Sequence, residues 1–268
     1  MGQARPLDCF FVTGAAGWLR VSLPALSAHR ASEGKLLSFT KLSTKYVGRI
    51  ADDYESVRTG KKWDSENESI AQLLTYVEQG SRTLDSPVGT GRLFPYFAER
   101  NFEIYGLDVS SDMIAKARAN AKKLGTKVRV QKGDIRSIPY PDGFFDLVVC
   151  LRFLNMIDER GLEVVLRELT RTSRDKLLIG IRYVTPLSDM RARPSDWARL
   201  LARPIRMLRR IAHIFIGRRW DGMAHEKTFL MQLLADLRLQ VLQTRYVERR
   251  WDNTDYVLLL LAKETARD

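Results

Sequence analysis

Between Thr83 and Asp108 the chain reads TLDSPVGTGRLFPYFAERNFEIYGLD. An apolar run ends in Asp85, a loop holds Gly89 and Gly91, a helical stretch follows, and a second apolar run, Phe102 to Leu107, ends in Asp108. That order is the strand–glycine loop–helix–strand unit that opens a doubly wound sheet. Glycines let backbone approach a ligand where a Cβ would collide. A carboxylate at the tip of the second strand can accept both hydroxyls of a ribose. The unit therefore reads as an adenosine site. A dinucleotide grip places a third glycine three residues after the second, for close helix–strand packing; Phe94 stands there instead. No GxxxxGK followed by Ser or Thr offers a triphosphate site. An adenosine cofactor without a pyrophosphate fits these residues better.

The rest of the chain extends the unit into a sheet. Strands are expected near 82–86, 102–107, 127–131, 144–150 and 176–182, with helices near 91–99, 111–124 and 158–171 between them. Gly125 is placed to end the second of these helices. Strands alternating with helices imply a parallel sheet covered on both faces. A helix near 226–237 and strands near 239–247 and 254–262, joined through the polar turn Trp251–Thr254, predict a terminal hairpin with an antiparallel edge. The expected fold is α/β: a doubly wound, Rossmann-like sheet of seven strands. Ahead of it, a helix is expected over 46–60, carrying Tyr54 and Arg58. Ser65 with Glu68 is read as a capping box for a helix running to about Gln79. Residues 1–42 read as an N-terminal extension, loosely ordered. Within it Phe11 to Arg20, FVTGAAGWLR, resembles the opening of short-chain dehydrogenases, but Arg20 stands where the third glycine belongs.

Four motifs in order carry a second resemblance: LDSPVGTGR, then GLDVSSDMIAKAR, then KGDIRSIPYPDG, then FDLVVCLRFLNMI. With them, residues 46–263 resemble the class I S-adenosylmethionine-dependent methyltransferases, and residues 43–268 are expected to form that domain. The resemblance implies S-adenosylmethionine as cofactor and a role for each matched position. Asp85 would lie near the methionine ammonium, and Gly89 and Gly91 would lay the backbone against methionine and ribose. Asp108 would take the ribose hydroxyls, Val109 and Met113 would pack on adenine, and Asp134, with the Ile135 amide, would meet the adenine edge. Cys150, Leu151 and Arg152 would close the far wall, and Tyr54 and Arg58 would close over the cofactor. Simpler roles stay open for the acids: a loop or capping residue at Asp85, a helix cap at Asp108, a surface turn at Asp134. Pro87 replaces a glycine common in the family's motif and donates no N–H. No base is readable; Arg152, Tyr183 and His225 are the candidates, because they fall just past the ends of the fourth and fifth strands or in the segment above them, where the acceptor pocket is expected.

Composition narrows the rest. Of the 268 residues, 45% are hydrophobic and 28% charged, as in a soluble globular protein. Cys9 and Cys150 are the only cysteines, which excludes a disulfide framework and a four-cysteine metal site. His29, His213 and His225 have no ligand spacing, so no metal is expected. No apolar run approaches the roughly 20 residues of a membrane-spanning helix, and Phe10 to Leu19 lacks the cationic flank of a signal peptide. The cytoplasm is the expected location.

The net charge of +12 is concentrated: Arg191 to Trp220 holds nine arginines against one acid, Asp196. Within an insertion at about 186–225, Leu201, Ile205, Leu208, Ile211, Ala212 and Phe215 share one helical face, and the arginines lie mainly elsewhere. The leading reading is a lid over the acceptor; contact with an anionic membrane through 191–220 comes second and nucleic-acid backbone third. The fourth motif lacks the Asn/Asp-Pro-Pro-aromatic tetrapeptide typical of base N-methylation, which counts against that route though not against every RNA target. The stretches LDSPVGTGR and YPDGFFDLVV most resemble methyltransferases acting on small molecules, quinones and lipids, and that resemblance implies a small-molecule or lipid-like acceptor. The alternatives are a non-catalytic binding protein acting through the basic segment and an RNA methyltransferase.

Overall fold

The computed structural model describes residues 61–184, 224–249 and 254–264, which all fall in a unit spanning Leu37–Asp268. The expected extension over 1–42, the helix carrying Tyr54 and Arg58, the turn residues 250–253 and nearly all of the arginine-rich insertion lie outside the described residues.

Helix α1 (Lys61–Leu74) leads into strand β1 (Arg82–Asp85), helix α2 (Phe94–Glu99) and strand β2 (Glu103–Asp108). Helix α3 (Ser111–Leu124), strand β3 (Val128–Lys132), strand β4 (Phe145–Cys150), a 3-10 turn (Leu154–Met156) and helix α4 (Glu159–Thr172) follow. Strand β5 (Ser173–Val184), the two-residue strand β6 (His225–Glu226), helix α5 (Lys227–Asp236), strand β7 (Leu239–Arg249) and strand β8 (Thr254–Lys263) complete the unit. The sheet order is β3-β2-β1-β4-β5-β8-β7, parallel as far as β5, with β8 antiparallel to both β5 and β7. β6 makes the eighth strand, pairing parallel with Tyr183 and Val184 of β5. β4 pairs with β5 no further than Ile179, while β8 accompanies it to Val184, so β6 occupies the side that β4 leaves open.

Strand periodicity divides the side chains between two cores. On one face Leu147, Val149, Leu178, Tyr256, Leu258 and Leu260 meet α1, α2 and α3 through Ile70, Leu73, Phe94, Phe97, Ile114 and Ala117. On the other, Val148, Cys150, Leu177, Ile179, Val257 and Leu259 meet α4 and α5 through Leu162, Val165, Leu166, Leu169, Leu230 and Leu233. The 162-165-166-169 spacing is the buried stripe of an amphipathic helix, and Asp158 starts α4 by accepting from the Gly161 amide at 2.8 Å. Ser110 caps α3 through the Met113 amide, and Gly125 ends it in the left-handed region at φ +64°.

Ser65 and Glu68 correct the expected capping box. The helix is already under way at Lys61, so the Ser65 amide needs no side-chain cap. The Ser65 carbonyl instead accepts the Ser69 hydroxyl at 2.8 Å, and Glu68 accepts from Gln72 at 3.3 Å. The helix ends at Leu74, short of Gln79.

Candidate active site

β1 is the switch strand: β2 lies on one side of it and β4 on the other. The crevice beyond the carboxyl ends of the strands at such a point is where doubly wound sheets bind ligands. The chain builds that crevice from the connections that follow the strands. After β1, the Ser86 amide donates to the Val149 carbonyl (2.9 Å) and the Val88 amide to the Leu107 carbonyl (2.8 Å), which ties the glycine loop to both neighbouring strands. After β3, the Gly133 amide donates to the Asp108 carbonyl at 2.9 Å. The following loop is held to α4 by Arg171, which donates to the Ile138 and Tyr140 carbonyls, each at 2.9 Å.

Asp108 sits at the tip of β2, buried. Its Oδ2 accepts the Gly89 amide and its Oδ1 the Ser110 amide, both at 2.9 Å. Burial pushes its carboxyl above the usual range, while the Ser110, Gly89 and Val109 amides pull it back. A carboxylate has about four acceptor directions, so these amides leave room for a further donor. Gly89 lies at φ +55° with open space where a Cβ would stand; Gly91, at φ +79°, has the Phe94 ring there, 2.3 Å from a Cβ position. The two glycines thus serve different ends, one facing the crevice and one making room for α2.

Asp85 is buried at the tip of β1. Burial raises its carboxyl well above the usual value of 3.8, Arg92 opposes the rise and Asp108 adds to it. The sign follows: the unfolded carboxyl ionises near 3.8, whereas the folded one holds its proton to higher pH, so stability present at low pH is lost as pH rises through the folded value. Asp85→Asn is therefore expected to raise the melting temperature of the ligand-free protein at pH 7.5 while weakening binding of a ligand ammonium. A melting temperature unchanged or lowered at pH 7.5 would contradict this assignment.

Two clefts flank Pro87, whose peptide bond with Ser86 is cis. The first, about 380 Å³, has apolar walls from Leu107, Val109, Ile135 and Phe153 and a polar rim from Asp108 and Asp134. Asp134 is half-exposed, and the Arg136 guanidinium on its carboxylate holds it below the usual range. The second cleft, about 350 Å³, is lined by Asp85, Val88, Gly89, Thr90, Arg92, Leu151 and Arg152. Ser86 Oγ at the first cleft and Thr90 Oγ1 at the second are buried without a hydrogen-bond partner among the described residues. Buried hydroxyls are normally bonded, so both clefts hold polar capacity that a ligand would use.

The remaining sequence candidates fall as follows. Met113 is buried in the first turn of α3 and lines neither cleft. Cys150 lies fully buried beneath them, its thiol pushed well up by burial and by Asp85. Tyr183 and His225 are neighbours across β5 and β6 and also line neither cleft. Tyr183 donates to the Tyr246 hydroxyl at 3.3 Å, and His225 Nε2 meets the Leu154 carbonyl at 2.9 Å, with burial holding its pKa below 6.5. Arg152 alone of the three base candidates reaches a cleft. Ser86, Thr90, Arg92 and Phe153 were not singled out from the sequence. Arg92 carries the clearest signal, directly after the glycine loop; nothing marks Phe153 before the chain turns it toward Ile135. Among the described residues no group of three or more His, Cys, Asp or Glu could hold a metal ion.

Comparison with known proteins agrees with this geometry. Residues 83–176 match the family described as "Methyltransferase domain". The phosphatidylethanolamine N-methyltransferase of Cereibacter sphaeroides is 32% identical over 98 residues, 36% of this chain and 47% of that protein. The demethylmenaquinone methyltransferase of Thermus thermophilus is 37% identical over 109 residues, 39% of this chain and 48% of that one. The chain thus spans about half the length of the curated relatives it matches. Among solved structures, magnesium protoporphyrin IX methyltransferase of Synechocystis PCC 6803 with bound SAH has a TM-score of 0.66 at 14% identity, over 85% of this chain and 100% of that one. The motif residues and the strand order agree with the methyltransferase-domain match over residues 83–176, and the solved neighbour shares the fold.

Proposed function

We propose that this protein transfers the methyl group of S-adenosylmethionine to a small-molecule or lipid-like acceptor. The observation that carries the reading is Asp108, fixed by the Gly89 and Ser110 amides at the rim of the apolar cleft, with its partner Gly89 lining the polar one. The cofactor fits the residues present. Leu107, Val109, Ile135 and Phe153 suit an adenine, and Asp108 suits the ribose. Asp85 suits an ammonium, and the Ser86 and Thr90 hydroxyls, unpartnered among the described residues, gain partners when it binds.

When bound, the sulfonium supplies an electrophilic methyl group that an acceptor displaces in line. The protein orients both reactants and excludes water. Asp85 offsets the ammonium charge, and the apolar cleft walls keep solvent from the adenine side. Tyr183 and His225, held in the strand pairing away from both clefts, support the fold; Arg152 stands at the second cleft as a cation. An acceptor that is already nucleophilic requires no further base. The catalytic domain is assigned to residues 43–268.

The named relatives act on a phospholipid and a quinone precursor, which favours a lipid-like acceptor here, with the arginine-rich 191–220 segment as lid or as contact with an anionic membrane. No helix among the described residues is long and apolar enough to cross a membrane. A peripheral protein on the cytoplasmic side fits this reading; RNA is the less favoured acceptor, and a silent binding protein the remaining alternative.

The test is paired. Titration calorimetry is expected to show saturable binding of S-adenosylhomocysteine, and methyl-labelled donor incubated with cell extract is expected to leave label in the lipid or small-molecule fraction. No binding by calorimetry overturns the cofactor assignment, and label confined to RNA overturns the acceptor class.

A further inference from the structure

The second cleft is walled by two arginines that share one carboxylate. Glu66, on α1, is fully buried, an uncommon place for a carboxylate without a cation beside it. Its Oε1 accepts from Arg152 Nε at 3.1 Å and from Arg92 Nη2 at 3.4 Å, and its Oε2 accepts from Arg152 Nε at 3.0 Å and from Arg152 Nη2. Arg92 also donates through Nη1 to Asn67 Oδ1 at 2.7 Å. The Arg152 guanidinium lies 3.9 Å from the centroid of the Tyr256 ring and 4.7 Å from that of Trp63. Gly180 makes room for this arrangement, since a Cβ there would fall 2.1 Å from the Tyr256 hydroxyl. Five contacts from two elements, α1 and β8, therefore fix one guanidinium, with a left-handed backbone at φ +58° that an arginine adopts only at a cost.

The charges do not balance inside the cluster. Two guanidiniums share the one Glu66 carboxylate, and the acid lining the cleft, Asp85, is the one assigned to the ammonium. Glu66 occupies Nε and Nη2 of Arg152, and Nη1 makes no hydrogen bond with any described residue. Both arginines line the cleft. A partly buried cation left in excess attracts an anion, and a planar fork suits an oxyanion with two oxygens to share.

We propose that Arg92 and Arg152, set in place by Glu66 as a positioning residue, form a clamp for a single carboxylate or phosphate group. The proposal rests on the methyl-donor reading for one of its two sources, the amino-acid carboxylate of the donor. The other source is an acidic group on the acceptor.

The experiment compares four probes by calorimetry: S-adenosylhomocysteine, its decarboxylated analogue, 5′-methylthioadenosine, and inorganic phosphate added to protein saturated with S-adenosylhomocysteine. The variants are the neutral pair Glu66→Gln with Arg152→Gln, which leaves no unpaired carboxylate, and Arg92→Gln, which keeps the Glu66–Arg152 pair. If the clamp holds the donor, the parent binds S-adenosylhomocysteine about tenfold or more tighter than the decarboxylated analogue, as expected for charge-assisted bonds. The variants lose that preference while keeping the parent's affinity for 5′-methylthioadenosine, which lacks the amino-acid portion. If it holds the acceptor, phosphate binds the saturated parent and not the variants. A parent showing neither signal, or variants keeping it, overturns the clamp. Should the parent bind no adenosine probe at all, the methyl-donor reading falls by itself, and phosphate binding to the free parent, lost or kept in Arg92→Gln, still decides the clamp.

Discussion

Replacing Asp108 by alanine is expected to weaken S-adenosylhomocysteine binding about 100-fold or more, the loss of roughly 3 kcal/mol. Two effects add. The ribose hydroxyls lose a charged acceptor, and hydrogen bonds to charged groups contribute about 1.5–3 kcal/mol each. The Gly89 and Ser110 amides, each 2.9 Å from the carboxylate, lose their partner, so the glycine loop loses the contact that fixes it to the tip of β2. Asp108→Asn is expected to do little better. Both carboxylate oxygens already accept a backbone N–H, so an amide would set its NH₂ against one of those donors. Calorimetry on both variants checks this, and an affinity for either within threefold of the parent would remove Asp108 from the site.

The second large effect falls on stability. Gly91→Ala is expected to destabilise the protein by about 2–5 kcal/mol: about 1–2 for a non-glycine residue in the left-handed region and about 1–3 for overpacking. The overpacking is specific, because the new Cβ would stand 2.3 Å from the buried Phe94 ring. Gly89→Ala supplies the contrast. It shares the positive φ but meets nothing within 4 Å, so its cost is expected to stay near the backbone portion alone. Thermal melts of the two ligand-free variants should therefore separate, with Gly91→Ala melting about 5–15 °C below the parent and Gly89→Ala only a few degrees below. Equal melting temperatures would show that the Phe94 contact carries no weight.

The sequence reached the fold where local chemistry decides it. Residues 111–124 form a helix with the expected bounds, because a serine cap and a left-handed glycine are short-range signals. The strands from β1 to β4 lie within a residue of the expected positions: β4, buried almost throughout, is mostly an apolar run, while the edge strand β3 shows the alternation of Val128 and Val130 with Arg129 and Gln131. What local chemistry does not encode was missed. β6 is two residues long and exists only because β5 outruns β4, which no sequence window contains. Ser65 and Glu68 copy a capping pattern in the interior of α1. Glu66 stands between two other polar residues, Ser65 and Asn67, and gives no sign that it is the one to be buried. Its partners Arg92 and Arg152 come from the loop after β1 and the end of β4, brought together only once the sheet has formed. Phe94 shows a finer limit. Its place at the third glycine position argued against a dinucleotide, and the structure adds that its ring fills the space Gly91 leaves.

β6 also bears on how such a protein can change over time. Val184 pairs with Glu226 and Tyr183 with His225, so the chain leaves the sheet and rejoins it at neighbouring backbone positions, about 4.8 Å apart. A connection pinned at adjacent points can change length cheaply, since doubling a loop costs only about 0.6 kcal/mol in closure. The β5–β6 pairing thus fixes both ends of that connection, whatever its length. The connection can be lengthened or shortened without shifting the register of β4, β5 or β8, while the glycine loop and Asp108, on the far side of the switch strand, stay as they are.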